Sequence, residues 1–394
     1  MDVMLVFWAL SAALVLGVMM LFVVMIARGM DKPIAPKAEA SEQLAKVMAS
    51  LGAKPEAGSA PSETTSSSKS SNPLQGVLAI GAALAVLGGV VAFIGDFTED
   101  DTPPEVSEIS AGDLGGTIVS ARDSDPVVLI VPGSGPTDRD GNSPLGVKTD
   151  AYRLLAEGLA EERVASVRID KRGMFGSAAA GDPNAVTPAD YVADIHAWID
   201  TIKAARGSEC VFLLGHSEGA LMVSLAAQGR KDVCGLILVA GMGRTMGDVI
   251  RQQLRDNPAN APVLDEAMSA LAELEAGRRV DVSAMHPALV PLFAPQVQDY
   301  LISVINLDPV EELNRANTDT LILQGKTDLQ VTIEDARLLD RARKTKMRLV
   351  DDMNHVLKEA PADRAANLAT YADPSLPLAP RLVGRIEDFV KDND

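Results

Sequence analysis

The chain has 394 residues, which is enough for one large α/β domain with additional segments. Its formal net charge of -18 leaves no basic patch to neutralise phosphates, which argues against nucleic acid as a partner. Only two cysteines and four histidines are present, which excludes a cysteine-rich scaffold or a zinc cluster.

Two uncharged apolar runs lie near the N-terminus, at residues 3–27 and 74–95. As a helix that rises about 1.5 Å per residue, each run can cross a bilayer core of roughly 30 Å. The first run lacks the basic start of a secretory signal and is longer than the apolar core of such a signal. We therefore predict two transmembrane helices, at residues 1–30 and 74–96.

The segment between these runs, residues 31–73, is polar and rich in Ser, Ala, Pro and Lys, a composition that predicts a disordered loop. Basic residues are frequent there, whereas acidic residues follow the second run, in a linker expected at residues 97–107. Since Lys and Arg prefer the cytoplasmic side of a membrane, everything after residue 96 is predicted to be extracytoplasmic. In a bacterium this means an inner-membrane anchor and a periplasmic domain.

From residue 108 onward, apolar strand-like runs alternate with helical segments. The runs begin at residues 127, 164, 211, 235, 320 and 347. Near-continuous apolar strands separated by helices indicate a parallel sheet covered on both faces. Residues 242–312 interrupt the alternation with a helix-rich insertion that contains several prolines, which predicts a helical cap over the sheet edge. The domain is thus expected to span residues 108–394.

The sequence Gly-His-Ser-Glu-Gly lies between a buried strand and a helix, as a nucleophile elbow requires. Gly215 and Gly219 permit the tight turn, because a side chain at either position would clash with strand or helix backbone. The turn presents the Ser217 hydroxyl and leaves the Glu218 amide pointing to where an oxyanion would form. The pattern predicts a serine nucleophile; the alternative is an ordinary turn with a capping serine.

A serine hydroxyl is a poor nucleophile without a base, and four histidines are available. His355 follows the last predicted strand, in a loop at the same sheet edge as Ser217, and is the predicted base. His216 lies inside the elbow and is expected to point away from the nucleophile. His196 flanks the apolar stripe of a predicted helix, and His286 lies in the predicted cap.

The base needs a carboxylate to fix its tautomer and stabilise its cationic form. Asp328 ends the run TLILQGKTD, on the loop after the preceding predicted strand, and is the predicted partner. Asp351 and Asp352 lie closer to His355 in the sequence, and either is an alternative to Asp328.

A second oxyanion donor is expected from the loop after an earlier strand. The run VVLIVPGSGPTDRDGN fits, because it reads as a strand followed by a glycine-rich loop. Gly133 and Gly135 carry no side chain, so backbone amides there can approach a substrate. We predict the amide of Ser134 as the donor. A phosphate cradle is the alternative, but the segment lacks the Gly-Lys-Ser/Thr ending of a P-loop.

Five ordered segments together resemble the α/β-hydrolase superfamily, in particular its bacterial esterase and serine-aminopeptidase-like branch. They are GSGPTDRDGN, RIDKRGMFGSA, LLGHSEGA, LILQGKTDLQV and NHVLK. The resemblance covers roughly residues 108–394 and implies an α/β-hydrolase fold, in which a mostly parallel eight-stranded sheet has helices on both faces. It also implies a Ser-Asp-His triad and a cap between strands six and seven.

The family's Asp-x-Arg-Gly loop matches Asp170, Arg172 and Gly173, and the resemblance implies a structural role for these residues. In this fold the strands that begin near Cys210 and Cys234 are parallel neighbours, so a disulfide between the two thiols is one expectation. Two buried free thiols are the alternative. A bridge would agree with an extracytoplasmic domain.

These patterns predict a membrane-tethered serine hydrolase that cleaves small carboxylic esters through an acyl-enzyme, without a metal or an organic cofactor. Amide or short-peptide hydrolysis, as in serine aminopeptidases, is the first alternative. A catalytically silent membrane-bound interaction module is an alternative of another class. The sequence leaves the oligomeric state open. Met242, Met246, Phe293 and Tyr300 are candidates either to line a substrate pocket or to form the core of the cap.

Overall fold

The computed structural model describes residues 103–394. The two apolar runs, the polar loop between them and residues 97–102 of the expected linker lie outside the described residues. Within residues 103–394, the structure contains no helix that combines the length and the apolar character needed to cross a membrane.

Eight strands form one sheet with the order β1-β2-β4-β3-β5-β6-β7-β8. The β1/β2 and β2/β4 pairs are antiparallel, and every other neighbouring pair is parallel. The strands are β1 Glu105–Ala111, β2 Leu114–Ser120, β3 Val127–Val131, β4 Ala165–Ile169, β5 Val211–His216, β6 Val233–Val239, β7 Thr320–Gly325 and β8 Thr345–Val350.

The strands in the middle of the sheet are continuous apolar runs because both of their faces are covered. All residues of β3, β4, β5 and β7 are buried. The edge strand β1 instead exposes most of its side chains. It begins at Glu105, so the last three residues of the expected linker belong to the sheet. Its sequence, EVSEISA, mixes polar and apolar residues and lacks the continuous apolar run that would mark a buried strand.

Ten α-helices follow in chain order within the described residues. They are α1 Ala151–Glu161, α2 Pro188–Arg206, α3 Glu218–Ala226, α4 Met246–Asp256, α5 Leu264–Glu275, α6 Pro295–Val304, α7 Pro309–Ala316, α8 Ile333–Leu339, α9 Arg364–Ala369 and α10 Leu382–Asn393. Helix α2 begins at a capping box between Thr187 and Asp190 and ends at Gly207, which has a φ of 68°.

The sheet separates two apolar cores. One core joins β3, β5, β6 and β7 to side chains of α1 and α10. The other core joins the opposite face of the sheet to α2, α3 and α8, and continues into the helices between β6 and β7. Helices α4 to α6 form the cap, whereas α7 leads back to β7 and packs against α3. The arrangement confirms the expected α/β-hydrolase fold, a mostly parallel eight-stranded sheet with helices on both faces.

A disulfide joins Cys210, just before β5, to Cys234 in β6, with a Cα–Cα distance of 5.3 Å. The two strands are parallel neighbours, so their N-terminal ends lie side by side. The bridge lies at the end of β5 that is opposite to Ser217. It therefore joins the two strands without touching the elbow.

Candidate active site

Ser217 occupies the turn between β5 and α3, with φ 56° and ψ −120°. Residues other than glycine rarely adopt a positive φ, so surrounding structure must hold the serine in this conformation. A Cβ at Gly215 would overlap the backbone of Gly219. One at Gly219 would overlap the carbonyl oxygens of Val131 and Pro132. The two glycines therefore allow helix α3 to pack directly against the ends of β3 and β5.

The structure brings Ser217, His355 and Asp328 into one hydrogen-bonded chain. His355 Nε2 lies 3.2 Å from Ser217 Oγ, and His355 Nδ1 lies 2.9 Å from Asp328 Oδ2. The side chain of Asp328 is fully buried, and that of His355 is 5% exposed. The three residues follow β5, β7 and β8, whose carboxyl ends lie at one edge of the parallel sheet.

The partners of Asp328 fix the tautomer of His355. Asp328 Oδ1 accepts the backbone N–H groups of Gln330 at 2.8 Å and Val331 at 3.0 Å. Its Oδ2 accepts the side-chain amide of Gln324 at 3.2 Å. Every one of these partners is a donor, so the carboxylate acts as an acceptor and takes the Nδ1–H of His355. The lone pair of Nε2 then faces the Ser217 hydroxyl, as a general base requires.

The two alternative carboxylates lie on the surface. Asp351 is 71% exposed at its side chain and pairs with Lys326, and Asp352 is also exposed. Within residues 103–394, neither carboxylate forms a hydrogen bond with His355. Of the three candidates from the sequence, Asp328 is the carboxylate that the fold brings to the imidazole.

The other three histidines do not contact the Ser217 hydroxyl in the described structure. His286 is exposed, and His196 forms a hydrogen bond through Nε2 with the carbonyl oxygen of Ala226, at 2.8 Å. His216 is buried; its Nδ1 lies 2.8 Å from the Tyr152 hydroxyl and its Nε2 lies 2.8 Å from the carbonyl oxygen of His355. Burial lowers the pKa of His216 to about 3, so this imidazole is neutral at physiological pH.

The two residues that carry the expected oxyanion donors line the same cavity as Ser217. They are Ser134 and Glu218. Among residues 103–394, no hydrogen bond engages the backbone N–H of Ser134 or of Glu218, which leaves both donors available. The loop lies directly against the elbow, because a Cβ at Gly133 would lie 3.0 Å from Ser217 Cβ. The absence of a side chain at Gly133 thus permits this approach.

Two buried side chains that the sequence analysis did not identify hold the two peptide groups on either side of Gly133. Lys171 Nζ donates to the Gly133 carbonyl oxygen at 2.6 Å. The Gly133 N–H donates to the Tyr152 hydroxyl at 3.4 Å, and the same hydroxyl contacts His216. The sequence contains a signal for Lys171 only in the Asp-Lys-Arg-Gly run, where it lies between two residues interpreted as structural.

Asp170 and Arg172 hold loops around the site. Asp170 accepts the backbone N–H and the guanidinium of Arg139, which lies in the glycine-rich loop, and also the backbone N–H of Gly176. Arg172 forms a salt bridge with Asp194 on α2. Gly135 has a φ of 75°, a conformation that favours glycine. The contacts agree with the structural role that the sequence analysis gave to these residues.

An apolar cavity lies between the elbow and the cap. Its volume of about 90 Å³ exceeds the roughly 10–15 Å³ that one water molecule needs, so a small group fits inside. Apolar side chains form most of its wall: Val186, Met242, Met246, Val249, Ile250, Leu292, Val297, Leu301 and Val331. Met242, Met246 and Tyr300 thus line the pocket, whereas Phe293 is fully buried in the core of the cap.

Several polar side chains of the cavity wall are already engaged with one another or with neighbouring residues. The Tyr300 hydroxyl donates to Glu218 Oε1 at 2.6 Å, which ties cap helix α6 to the elbow. Gln253 donates to the backbone carbonyl of Gln330, whose own amide donates to the Tyr371 hydroxyl. Within the described residues, no group of three or more His, Cys, Asp or Glu side chains is arranged to hold a metal ion.

Two solved structures are similar to this chain at low sequence identity. The α/β hydrolase GrgF from Penicillium sp. sh18 is 18% identical, with a TM-score of 0.47 over 74% of this chain and 99% of that chain. Est1E from Butyrivibrio proteoclasticus, solved with ferulic acid, is 15% identical, with a TM-score of 0.44 over 73% of this chain and 96% of that chain. No curated protein matches the chain significantly.

The family comparison covers more than half of the chain. Residues 145–359 match the model of the serine aminopeptidase family S33. The match includes the elbow, the cap and the loops that carry Asp328 and His355. Together with the eight-stranded sheet, this match shows that the chain belongs to the S33 serine aminopeptidase family of the α/β-hydrolase superfamily.

Proposed function

We propose that this α/β hydrolase is a serine hydrolase that cleaves uncharged carboxylic esters with a small apolar group next to the scissile bond. The observation that carries the proposal is the hydrogen-bonded chain of Ser217, His355 and Asp328, whose serine lines an apolar cavity. A nucleophile, an oriented base and two free backbone donors beside the nucleophile are the parts that acyl transfer needs.

In the proposed reaction, Ser217 Oγ attacks the ester carbonyl carbon while His355 Nε2 takes the hydroxyl proton. The carbonyl oxygen becomes an oxyanion that the N–H groups of Ser134 and Glu218 stabilise. The tetrahedral intermediate collapses, the bond to the alcohol breaks, and His355 returns its proton to the leaving oxygen. Water then attacks the acyl-serine by the same steps and releases the acid. Asp328 holds the imidazole and stabilises its positive charge throughout.

The cavity favours an ester over the amide of an N-terminal amino acid. An aminopeptidase must bind a free ammonium group, which needs a carboxylate inside the pocket. Glu218 is the one carboxylate on the cavity wall in the described structure. It accepts the Tyr300 hydroxyl and is attracted to the ammonium of Lys171. With this carboxylate engaged, an uncharged acyl group suits the cavity better than a charged amino terminus.

Replacement of the nucleophile tests the proposal. Ser217→Ala should lower kcat for p-nitrophenyl butyrate by about 10³-fold or more, because no other group can form the acyl-enzyme. Ser224→Ala is the matched control, since Ser224 is a buried serine on α3 whose hydroxyl donates to the Ala220 carbonyl. A fluorophosphonate probe should label the wild type but not Ser217→Ala. Full turnover by Ser217→Ala would refute the mechanism, and an unlabelled wild type would favour a silent interaction module.

Two substrate series separate the ester from the amide hypothesis. We expect kcat/KM for p-nitrophenyl esters of short, uncharged acids to exceed that for p-nitroanilides of alanine or leucine by about 10²-fold or more. The reason is that the anilides bring an ammonium into a pocket whose carboxylate is already paired. A higher kcat/KM for the anilides would instead identify the protein as an aminopeptidase.

We also propose that the two apolar N-terminal runs tether the hydrolase domain to a membrane, with the domain on the extracytoplasmic side. The length and uncharged character of both runs support the tether. The excess of basic residues between them supports the orientation. The Cys210–Cys234 bridge adds support, because disulfides persist in oxidising compartments.

A further inference from the structure

Lys171 is a buried lysine beside the elbow, and the acyl-transfer steps do not use it. It is 8% exposed, and its Nζ donates to the Gly133 carbonyl oxygen at 2.6 Å. The ammonium also lies 6.0 Å from the centre of the Tyr191 ring. Burying an ammonium costs free energy that an apolar side chain of similar length would not cost. The position of this charge therefore calls for a function beyond packing.

The geometry of the peptide bond links Lys171 to the oxyanion hole. The peptide bonds of the described residues are trans, so the Gly133 carbonyl and the Ser134 N–H lie in one plane and point in opposite directions. A group that holds the carbonyl on one side thus directs the N–H to the other side. The carbonyl that Lys171 holds belongs to the same peptide group as the predicted oxyanion donor.

The strand order shows which side each group faces. Lys171 follows β4 and Ser217 follows β5, and these two strands flank β3, which leads into Gly133. The Gly133 carbonyl points towards the β4 side, where Lys171 holds it. The Ser134 N–H must then point towards the β5 side, where the Ser217 hydroxyl lies.

A second contact restrains the same segment from its other end. The Gly133 N–H donates to the Tyr152 hydroxyl, and the only role left to that hydroxyl's proton is donation to His216 Nδ1. This follows because His216 Nε2 must donate to the His355 carbonyl, which is an acceptor only. Both peptide groups of Gly133 are therefore held by buried side chains, and rotation of the segment would break two hydrogen bonds.

We infer that Lys171 is a positioning residue of the oxyanion hole: by holding the Gly133 carbonyl on the β4 side of β3, it directs the Ser134 N–H to the oxyanion. The inference rests on the proposed function. The donor is aimed before substrate arrives, so no reorganisation is needed when charge develops on the substrate oxygen. Lys171 also lines the cavity, where the positive charge of its ammonium favours a negative intermediate over a neutral substrate.

The test compares Lys171→Met with Lys358→Met in the full-length chain. Lys358 is also a buried lysine that donates to a backbone carbonyl, that of Leu376, but it lies outside the cavity. We expect Lys171→Met to lower kcat by about 10- to 100-fold while KM changes by less than about threefold, because the donor acts in the transition state. Lys358→Met should keep kcat within about threefold of the wild type. Lys171→Arg should recover part of the loss, because the guanidinium keeps the donor and the charge.

Two inhibitors separate positioning from a structural role. An alkyl trifluoromethyl ketone forms a tetrahedral adduct with a catalytic serine, and the matching methyl ketone binds without one. Lys171→Met should weaken binding of the trifluoromethyl ketone by about the same factor by which it lowers kcat. Binding of the methyl ketone should stay unchanged. An equal loss for both ketones, or a folded variant that matches the wild type, would overturn the inference. If Lys171→Met does not fold, Lys171→Gln replaces it. Turnover by Ser217→Ala would instead refute the proposed function itself.

Discussion

The two imidazoles at the sheet edge, His355 and His216, are held in opposite tautomers by their partners. Asp328 accepts from His355 Nδ1, whereas the carbonyl oxygen of His355 accepts from His216 Nε2. Their ring centres lie 4.9 Å apart, so two positive charges there would repel strongly. Because burial lowers the pKa of His216 to about 3, the proposed mechanism passes the Ser217 proton to His355 and not to His216.

The tautomer argument predicts a large effect of Asp328→Asn. An amide at this position no longer selects the Nδ1–H form of His355, so Nε2 is not held as a base. We expect kcat for an ester to fall by about 10³- to 10⁴-fold, with little change in KM. Steady-state kinetics with active-site titration would measure both parameters. The matched control is Asp351→Asn, at one of the two exposed carboxylates that the sequence offered in place of Asp328. A larger loss of kcat in Asp351→Asn than in Asp328→Asn would contradict the role given to Asp328.

The lowered pKa of His216 also predicts how the free energy of unfolding depends on pH. Its pKa is about 3 in the folded protein and about 6.5 in the unfolded chain, so between these values the unfolded chain binds the extra proton. The free energy of unfolding should therefore fall by up to about 1.4 kcal/mol per unit as pH drops below about 6.5. Above that pH the contribution is fully present.

Urea unfolding at pH 7 and pH 5 measures this effect. The glutamine of His216→Gln does not titrate between pH 7 and pH 5. The loss of unfolding free energy over this range should therefore be roughly 2 kcal/mol smaller in the variant than in the wild type. The variant should also be less stable at pH 7, because it loses the ring contacts with Tyr152. The control is Ser224→Ala, at a buried serine on α3 that does not titrate, and it should keep the wild-type slope. If His216→Gln keeps that slope instead, the titrating group lies elsewhere.

At the scale of elements, the disulfide and the elbow occupy opposite ends of β5. The bridge closes a separation of 24 residues, for which the loss of loop entropy in the unfolded chain gives about 3 kcal/mol. Cys210→Ser with Cys234→Ser should therefore lower Tm by roughly 6–12 °C. The esterase kcat should stay near wild type, because the six-residue strand separates the bridge from Ser217 by roughly 20 Å.

Calorimetry and initial rates on the same preparations test this prediction. A reductant such as dithiothreitol should lower the wild-type Tm towards that of the double variant and leave the double variant unchanged. The prediction is wrong if the reduced and oxidised wild type melt together. A double variant that loses kcat but keeps its Tm would be equally inconsistent with it.

The elements that could be predicted from the sequence are those whose buried residues form a continuous apolar run or a periodic apolar stripe. All five residues of β3 are buried and read as VVLIV, so this strand was predictable. β1 and β2 were not, because the outer strand exposes polar side chains and the inner one, LGGTIVS, contains two glycines. Helix α2 also leaves a readable pattern, because a capping box between Thr187 and Asp190 precedes an apolar stripe that is buried in the structure.

The residues of the site also differ in how far the sequence alone could predict them. Ser217 was predictable from its elbow, and His355 from elimination among four histidines. Lys171 and Tyr152 were not, because the atoms they hold are the carbonyl and the N–H of Gly133. Any residue has those backbone atoms, so no side-chain pattern marks the contact. Only the position of β4 and α1 beside β3 brings these two side chains to that backbone.

At the scale of the whole molecule, the contacts described for the site join residues of the hydrolase domain to one another. The proposed tether therefore predicts that location and chemistry are separable. The full-length chain should sediment with membranes, because two uncharged runs of spanning length favour the bilayer. A chain of residues 104–394 should remain in the supernatant and hydrolyse a water-soluble ester with kcat within about twofold of the full-length chain. Ultracentrifugation followed by esterase assays of pellet and supernatant measures both quantities. A full-length chain that stays in the supernatant would contradict the proposed tether. A truncated chain that folds but loses kcat would show that residues before 104 contribute to catalysis.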